Sequence, residues 1–237
     1  MFTGAPLATI LMDTIGWSVA IFFVAASFLI ILPLLFFISR ASEKPKTHRE
    51  QLHTIKAIKI AFSDKSYTLL FFGFFVCGFH VQFIQTHLPA YITDEGLAPI
   101  IGAWSLALIG LFNIGGSFLS GWSGQLYSKP KLLAGIYASR AVVITVFIFT
   151  PLSEASVLVF SAAMGILWLS TVALTTGLVA QTQGLKFLST LVGLVFFSHQ
   201  VGGFLGAWLG GRLYDITGNY EAMWIAAILF GLAATVI

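Results

Sequence analysis

One arginine stands alone in an apolar stretch of this chain. Arg140 lies nine residues beyond Lys131, which is about 13 Å along a helix at 1.5 Å per residue. At that depth a guanidinium sits near the middle of a bilayer core roughly 30 Å thick. Such a charge marks a functional site by default, and its planar fork suits a carboxylate held through two hydrogen bonds. The alternative is mechanical: Arg140 braces neighbouring helices through their backbone carbonyls. Histidine offers a second chemistry. His80 and His199 each fall in mid-span, where an imidazole can carry protons near neutral pH. The alternative for each is an interhelical hydrogen bond, usually worth under about 1 kcal/mol. Gln85 and His87 lie farther out, with His80 and His87 on one helix face at i, i+7. Asn113, Thr171, Thr175 and Gln200 add neutral polar groups at comparable depth. No Asp or Glu accompanies them within a span, so this part lacks the carboxylate relay of many proton-coupled carriers. Cationic and imidazole groups without carboxylates point to an anionic or neutral solute, and a small organic carboxylate is the expected class. The five histidines are dispersed and no HExxH occurs, so neither a metal site nor a cofactor is expected.

These side chains need elements that hold them inside a membrane. No Asp, Glu, Lys or Arg occurs in 14–39, 66–93, 96–128, 155–185 or 187–211, and about 20 apolar residues suffice for a crossing helix. The 237 residues are 58% hydrophobic and 9% charged, against about 25% charged in soluble domains. The expected class is therefore all-α, a multi-pass transmembrane bundle, with spans at 2–12, 17–39, 67–92, 98–121, 132–150, 155–179, 187–211 and 222–237. Ten Lys and Arg fall on one side of these spans and only Arg212 on the other. The positive-inside rule puts loops 40–66, 122–131 and 180–186 in the cytoplasm. That distribution assigns the basic residues to membrane orientation rather than to nucleic acid. A lone cysteine, Cys77, leaves no intrachain disulfide, and the lack of a lysine in any span excludes a retinal Schiff base. Segment 40–66 is the longest polar stretch. Leu52, Ile55, Ile58 and Phe62 recur in it at helical spacing, which favours an interfacial helix linking two bundles over a merely solvated loop. Residues 2–12 are short for a crossing, and 222–237 has no polar residue at its end. Both features suggest a piece of a larger protein.

Gly115–Tyr127 aligns without gaps on Gly202–Tyr214 at an offset of 87 residues, with five of 13 positions identical. That offset covers three spans, an odd number, so the copies run in opposite directions through the membrane. Both copies carry small residues at i, i+4: Gly116, Ser120 and Gly124 in one, Gly202, Gly206 and Gly210 in the other. Such rows let helix backbones approach closely in lipid.

With these features the chain resembles the major facilitator superfamily, whose six-helix halves are built from three-plus-three inverted repeats. The turn Gly121-Trp122-Ser123-Gly124-Gln125-Leu126-Tyr127-Ser128-Lys129-Pro130 is similar to the family's glycine, acidic, basic loop motif. Gln125 stands where the acidic residue is expected and Leu126 where a basic one is. The runs Cys77–Val81, Thr86–Tyr91 and Ser198–Gly203 resemble bacterial members near the monocarboxylate-porter and oxalate–formate-antiporter branch. The resemblance implies that 1–39 is the end of an N-terminal bundle (partial helix 5, then helix 6), 40–66 a cytoplasmic linker and 67–237 a C-terminal six-helix bundle. It further implies a secondary transporter of a bacterial inner membrane, working by alternating access with an N-terminal bundle mostly outside this sequence. By the resemblance His80 and His199 lie on cavity-lining helices and Arg140 on a supporting one. Two rival readings stay open. Gly121-Trp122-Ser123-Gly124 matches the GxSG of rhomboid intramembrane proteases, with His199 as the base for Ser123; and a non-transporting membrane scaffold needs no solute at all.

Overall fold

A computed structural model describes residues 4–29 and 48–236 of the chain. Among them there are helices and no strands. Two short helices, α1 (Gly4–Ile15) and α2 (Trp17–Leu29), are joined at Gly16, whose φ of 81° only glycine adopts freely. The expected spans 2–12 and 17–39 overlap them, and residues 1–3 and 30–39, where those spans begin and end, lie outside the described part. In the linker, α3 (His48–Ser63) is helical as its spacing predicts, while 40–47 lie outside the described residues. Phe62 packs edge-on against Tyr67 and Phe71, and Ala61 is fully buried.

The crossing elements follow. They are α4 (Lys65–Asp94), α5 (Pro99–Leu126), α6 (Lys129–Phe149), the tandem α7 (Glu154–Leu167) and α8 (Ser170–Gln183), and α9 (Leu188–Thr217). Each of these five is long and apolar enough to cross a bilayer. A shorter apolar helix, α10 (Glu221–Ala233), continues in a 3-10 turn over Ala234–Val236. Glu221–Val236 falls short of a crossing by length, where the sequence suggests a span over 222–237.

Two boundaries differ from expectation for a physical reason. Residues 121–126, read as part of a cytoplasmic turn, complete the last turn of α5. The span read as continuous over 155–179 is broken at Trp168-Leu169. Neither residue is Pro or Gly, so local propensity does not cause the break. Elsewhere the ends are conventional. Ser153 and Ser156 cap α7 reciprocally, Asp64 accepts from Ser66 N–H at the start of α4, and Gly184 and Gly218 end α8 and α9 at φ of 75° and 74°. The linker is tied to the bundle where Gln183 Nε2 donates to Asp64 Oδ2 at 2.6 Å.

Packing follows the internal repeat. The closest pair is α4 with α9, and its counterpart is α5 against α7 and α8. A Cβ at Gly202 would meet the carbonyl of Phe75, one at Gly206 that of Phe79, and one at Gly210 the ring of His87. On the other pair, a Cβ at Gly116 would meet the carbonyl of Ile166 and one at Gly124 the side chain of Leu174. Ser120, the middle member of that row, donates its hydroxyl to the Ser170 carbonyl. Small residues are thus placed where backbone meets backbone.

Candidate functional site

The break between α7 and α8 leaves backbone groups that a continuous helix would pair internally. In lipid each unpaired group costs several kcal/mol, so partners must come from neighbours. Arg140, completely buried on α6, supplies most of them. Its Nε and Nη2 donate to the Leu167 carbonyl at 3.2 and 2.6 Å, and Nη2 also donates to the Trp168 carbonyl. From α5, Asn113 Oδ1 accepts the Leu169 N–H at 3.0 Å and the Ser117 hydroxyl at 3.2 Å. Arg140 and Asn113 therefore hold opposite sides of one break. The guanidinium also lies over the Tyr137 ring, 5.6 Å from its centroid. Its remaining arm, Nη1, is buried without a hydrogen-bond partner.

Around this charge the structure gathers several of the residues that the sequence singles out. Thr171 is buried and shares a 3.2 Å hydrogen bond with the Cys77 thiol. His199 is half-buried, rests on the Phe74 ring at 4.8 Å, and donates from Nδ1 to Gln200 Oε1 at 3.4 Å. Thr175, one turn beyond Thr171, is buried with its hydroxyl unpartnered. His80 faces the other way. It is 0% exposed and its Nε2–H donates to the Ala227 carbonyl of α10 at 2.7 Å, leaving Nδ1 unpartnered. His87 donates in the same manner to the Ala207 carbonyl of α9 at 2.8 Å. Gln85 and Gln200 are exposed. His199 is thus only half-buried, and the exposed Gln200 extends it to the surface.

Composition alone treats Cys77 as a thiol without a disulfide partner and passes over Tyr137. Yet Tyr137 precedes Arg140 by three residues, on the same helix face, and that spacing was available in the sequence. The break at 168–169 had no such signal. The protease reading gains no support. The Ser123 hydroxyl donates to the Ser120 carbonyl at 3.2 Å, whereas His199 is engaged with Phe74 and Gln200. Among the described residues no group of three or more His, Cys, Asp or Glu converges as a metal site would require.

Comparison with known proteins gives a consistent result. The family model described as Major Facilitator Superfamily matches residues 1–207. An uncharacterized MFS-type transporter, YcxA of Bacillus subtilis (strain 168), is 27% identical over 174 residues, covering 71% of this chain and 42% of that protein. Monocarboxylate transporter 13 of Rattus norvegicus is 28% identical over 160 residues, covering 67% of this chain and 37% of its own. The hexuronate transporter of Bacillus subtilis (strain 168) is 25% identical over 245 residues, covering 94% and 57%. The chain thus spans about half the length of the curated relatives it matches.

Proposed function

We propose, from the premise that this chain belongs to the Major Facilitator Superfamily, that it is the C-terminal part of a secondary transporter that moves a small organic anion by alternating access. In this reading residues 1–39 end the N-terminal bundle, 40–66 link the halves on the cytoplasmic side, and 67–237 form the C-terminal bundle. The observation that carries the anion is electrostatic. The bundle holds a fully buried guanidinium and a half-buried histidine, and no carboxylate lies within the spans to neutralise the charge. An uncompensated positive field of this kind attracts an anion into a low-dielectric site. His199 and Gln200 are then the side chains that meet the solute, while Arg140, Cys77 and Thr171 act from behind. Support comes from two relatives: one is named for monocarboxylates and the other for hexuronate, and both solutes carry a carboxylate.

The test is uptake into proteoliposomes by the full-length protein. Labelled lactate, glucuronate and uncharged glucose are compared, with and without His199→Ala. At least one carboxylate should accumulate and glucose should not. His199→Ala should lower that uptake by about tenfold, as loss of one charge-assisted hydrogen bond does. Equal uptake of glucose, or undiminished uptake by the variant, would sink the reading.

A further inference from the structure

The linker helix carries a surface that neither the bundle nor the solute site uses. On α3, Ala61 is fully buried and Ile58 packs on the core, so that side of the helix is seated on the bundle. The rest turns away. Ile55 and Ile60 are 53% and 58% exposed, Phe62 is 39% exposed, and Lys56 and Lys59 are exposed beside them. At about 100° per residue, Ile55, Lys59 and Phe62 fall within about 60° of one another, with Lys56 and Ile60 on the adjoining row. Apolar and cationic side chains therefore share one face rather than separating onto two. The face is basic on balance, because residues 53–66 hold three lysines and one carboxylate. That carboxylate, Asp64, is already engaged: one oxygen accepts from Ser66 N–H and the other from Gln183 Nε2. The bond to Gln183 brings the loop between α8 and α9 to the same corner, and that loop adds the exposed Leu185 and Lys186.

The depth of this face decides what meets it. Thr68 Oγ1 donates to the Phe62 carbonyl at 3.0 Å, and the Phe62 ring meets Tyr67 and Phe71 edge-on at 5.3 and 5.2 Å. Phe71 lies about 9 Å along α4 from Lys65, at 1.5 Å per residue. Because α4 is a crossing helix, the end of α3 lies beside the part of α4 that is entering the bilayer. A helix at that level, with large apolar side chains and lysines on its free face, lies in the headgroup layer. Its apolar side chains reach the acyl boundary, while the lysine stems let the ammonium groups meet phosphate. The positive-inside rule assigns this side to the cytoplasm, and the lysines attract anionic lipid there. We infer that the free face of α3 is a docking surface for anionic phospholipid, with Ile55, Ile60 and Phe62 entering the acyl boundary and Lys56, Lys59 and Lys65 holding headgroup phosphates. A second copy of this chain would set lysines against lysines on that face, which like-charge repulsion opposes. The surface does not depend on which solute is carried.

The experiment titrates the full chain in detergent with phosphatidylglycerol or phosphatidylcholine and counts bound lipid by native mass spectrometry. Phosphatidylglycerol should bind more tightly than phosphatidylcholine, and added salt should narrow the difference. Lys56→Gln and Lys59→Gln should each weaken phosphatidylglycerol about fivefold, the effect of one cation beside an anionic surface, and leave phosphatidylcholine unchanged. Lys65→Gln should do the same and serves if a variant on α3 fails to fold. Lys131→Gln, exposed on the same side of the membrane but on α6, should change neither lipid. Ile55→Ser combined with Ile60→Ser should weaken both lipids, because both carry acyl chains. Phosphatidylglycerol binding undiminished in all three lysine variants, or an equal loss in Lys131→Gln, would overturn the surface. Displacement of phosphatidylglycerol by an equal concentration of glycerol phosphate would overturn the lipid assignment, since a free phosphate would then suffice. A two-chain mass that the paired serine variant splits would give the face to a second copy instead.

Discussion

Arg140 shows how far one side chain can be committed. A guanidinium has five N–H donors in a rigid fork, and here Nε and Nη2 are spent on the carbonyls of Leu167 and Trp168. Lysine carries the same charge but cannot reproduce two donors at fixed spacing. Arg140→Lys should therefore destabilise the full chain in detergent by about 1–3 kcal/mol, the penalty for buried acceptors left unpaired. Asn113→Ala should cost a similar amount, because it strands the Leu169 N–H. Both side chains hold one break, so their effects should not add: a double-mutant cycle should give a coupling of about 0.5–3 kcal/mol. A coupling near zero in thermal or SDS unfolding would mean that the break does not depend on them jointly. At this scale the sequence is partly readable. The depth of Arg140 and its lack of a carboxylate partner follow from counting residues. Its carbonyl partners do not, because they exist only where a helix fails to pair its own backbone.

Among the elements, the inverted repeat accounts for contacts that seem unrelated one by one. Arg140 of α6 donates to the Leu167 carbonyl at the end of α7. An offset of 87 residues carries Arg140 to Ala227 and His80 to Leu167. His80 of α4 does bond the Ala227 carbonyl of α10. The two halves thus make the same cross-brace with donor and acceptor exchanged. The small-residue rows are visible in the sequence as i, i+4 patterns, and the two closest helix pairs use them. The break at Trp168-Leu169 is not visible, whereas α4 runs unbroken through Pro89, where proline chemistry favours a kink. Tertiary partners, not local propensity, decided both. Glycine substitutions separate packing from propensity. Gly206→Leu places a side chain against the Phe79 carbonyl and should abolish the monodisperse peak in size-exclusion chromatography. Gly135 has no atom within 4 Å of an added Cβ, so Gly135→Ala should raise stability by about 0.5–1 kcal/mol through reduced backbone entropy. Equal tolerance of both changes in that assay would contradict the packing described.

For the whole molecule, the charge map was the most legible feature, since a bilayer excludes formal charge from whatever crosses it. It locates the five crossing elements to within about six residues at either end. Burial of the single cysteine offers a test of the assembled bundle. Cys77 is 0% exposed, so the full chain in membranes should resist a membrane-impermeant maleimide and become labelled only after SDS unfolding. Ready labelling of native membranes would mean that α4 and α9 do not pack as described. Arg140 also bears on how the protein is made. An arginine at a helix centre costs about 2.5–3.5 kcal/mol at the insertion machinery, and its acceptor on Trp168 lies 28 residues downstream. At about 5–20 residues per second the ribosome needs roughly one to six seconds to deliver that partner. During that interval the guanidinium has neither carbonyl acceptor, and the apolar remainder of α6 alone offsets its cost. Slower translation across residues 140–168 should therefore leave α6 unbraced for longer, a difference that glycosylation mapping of stalled nascent chains would read.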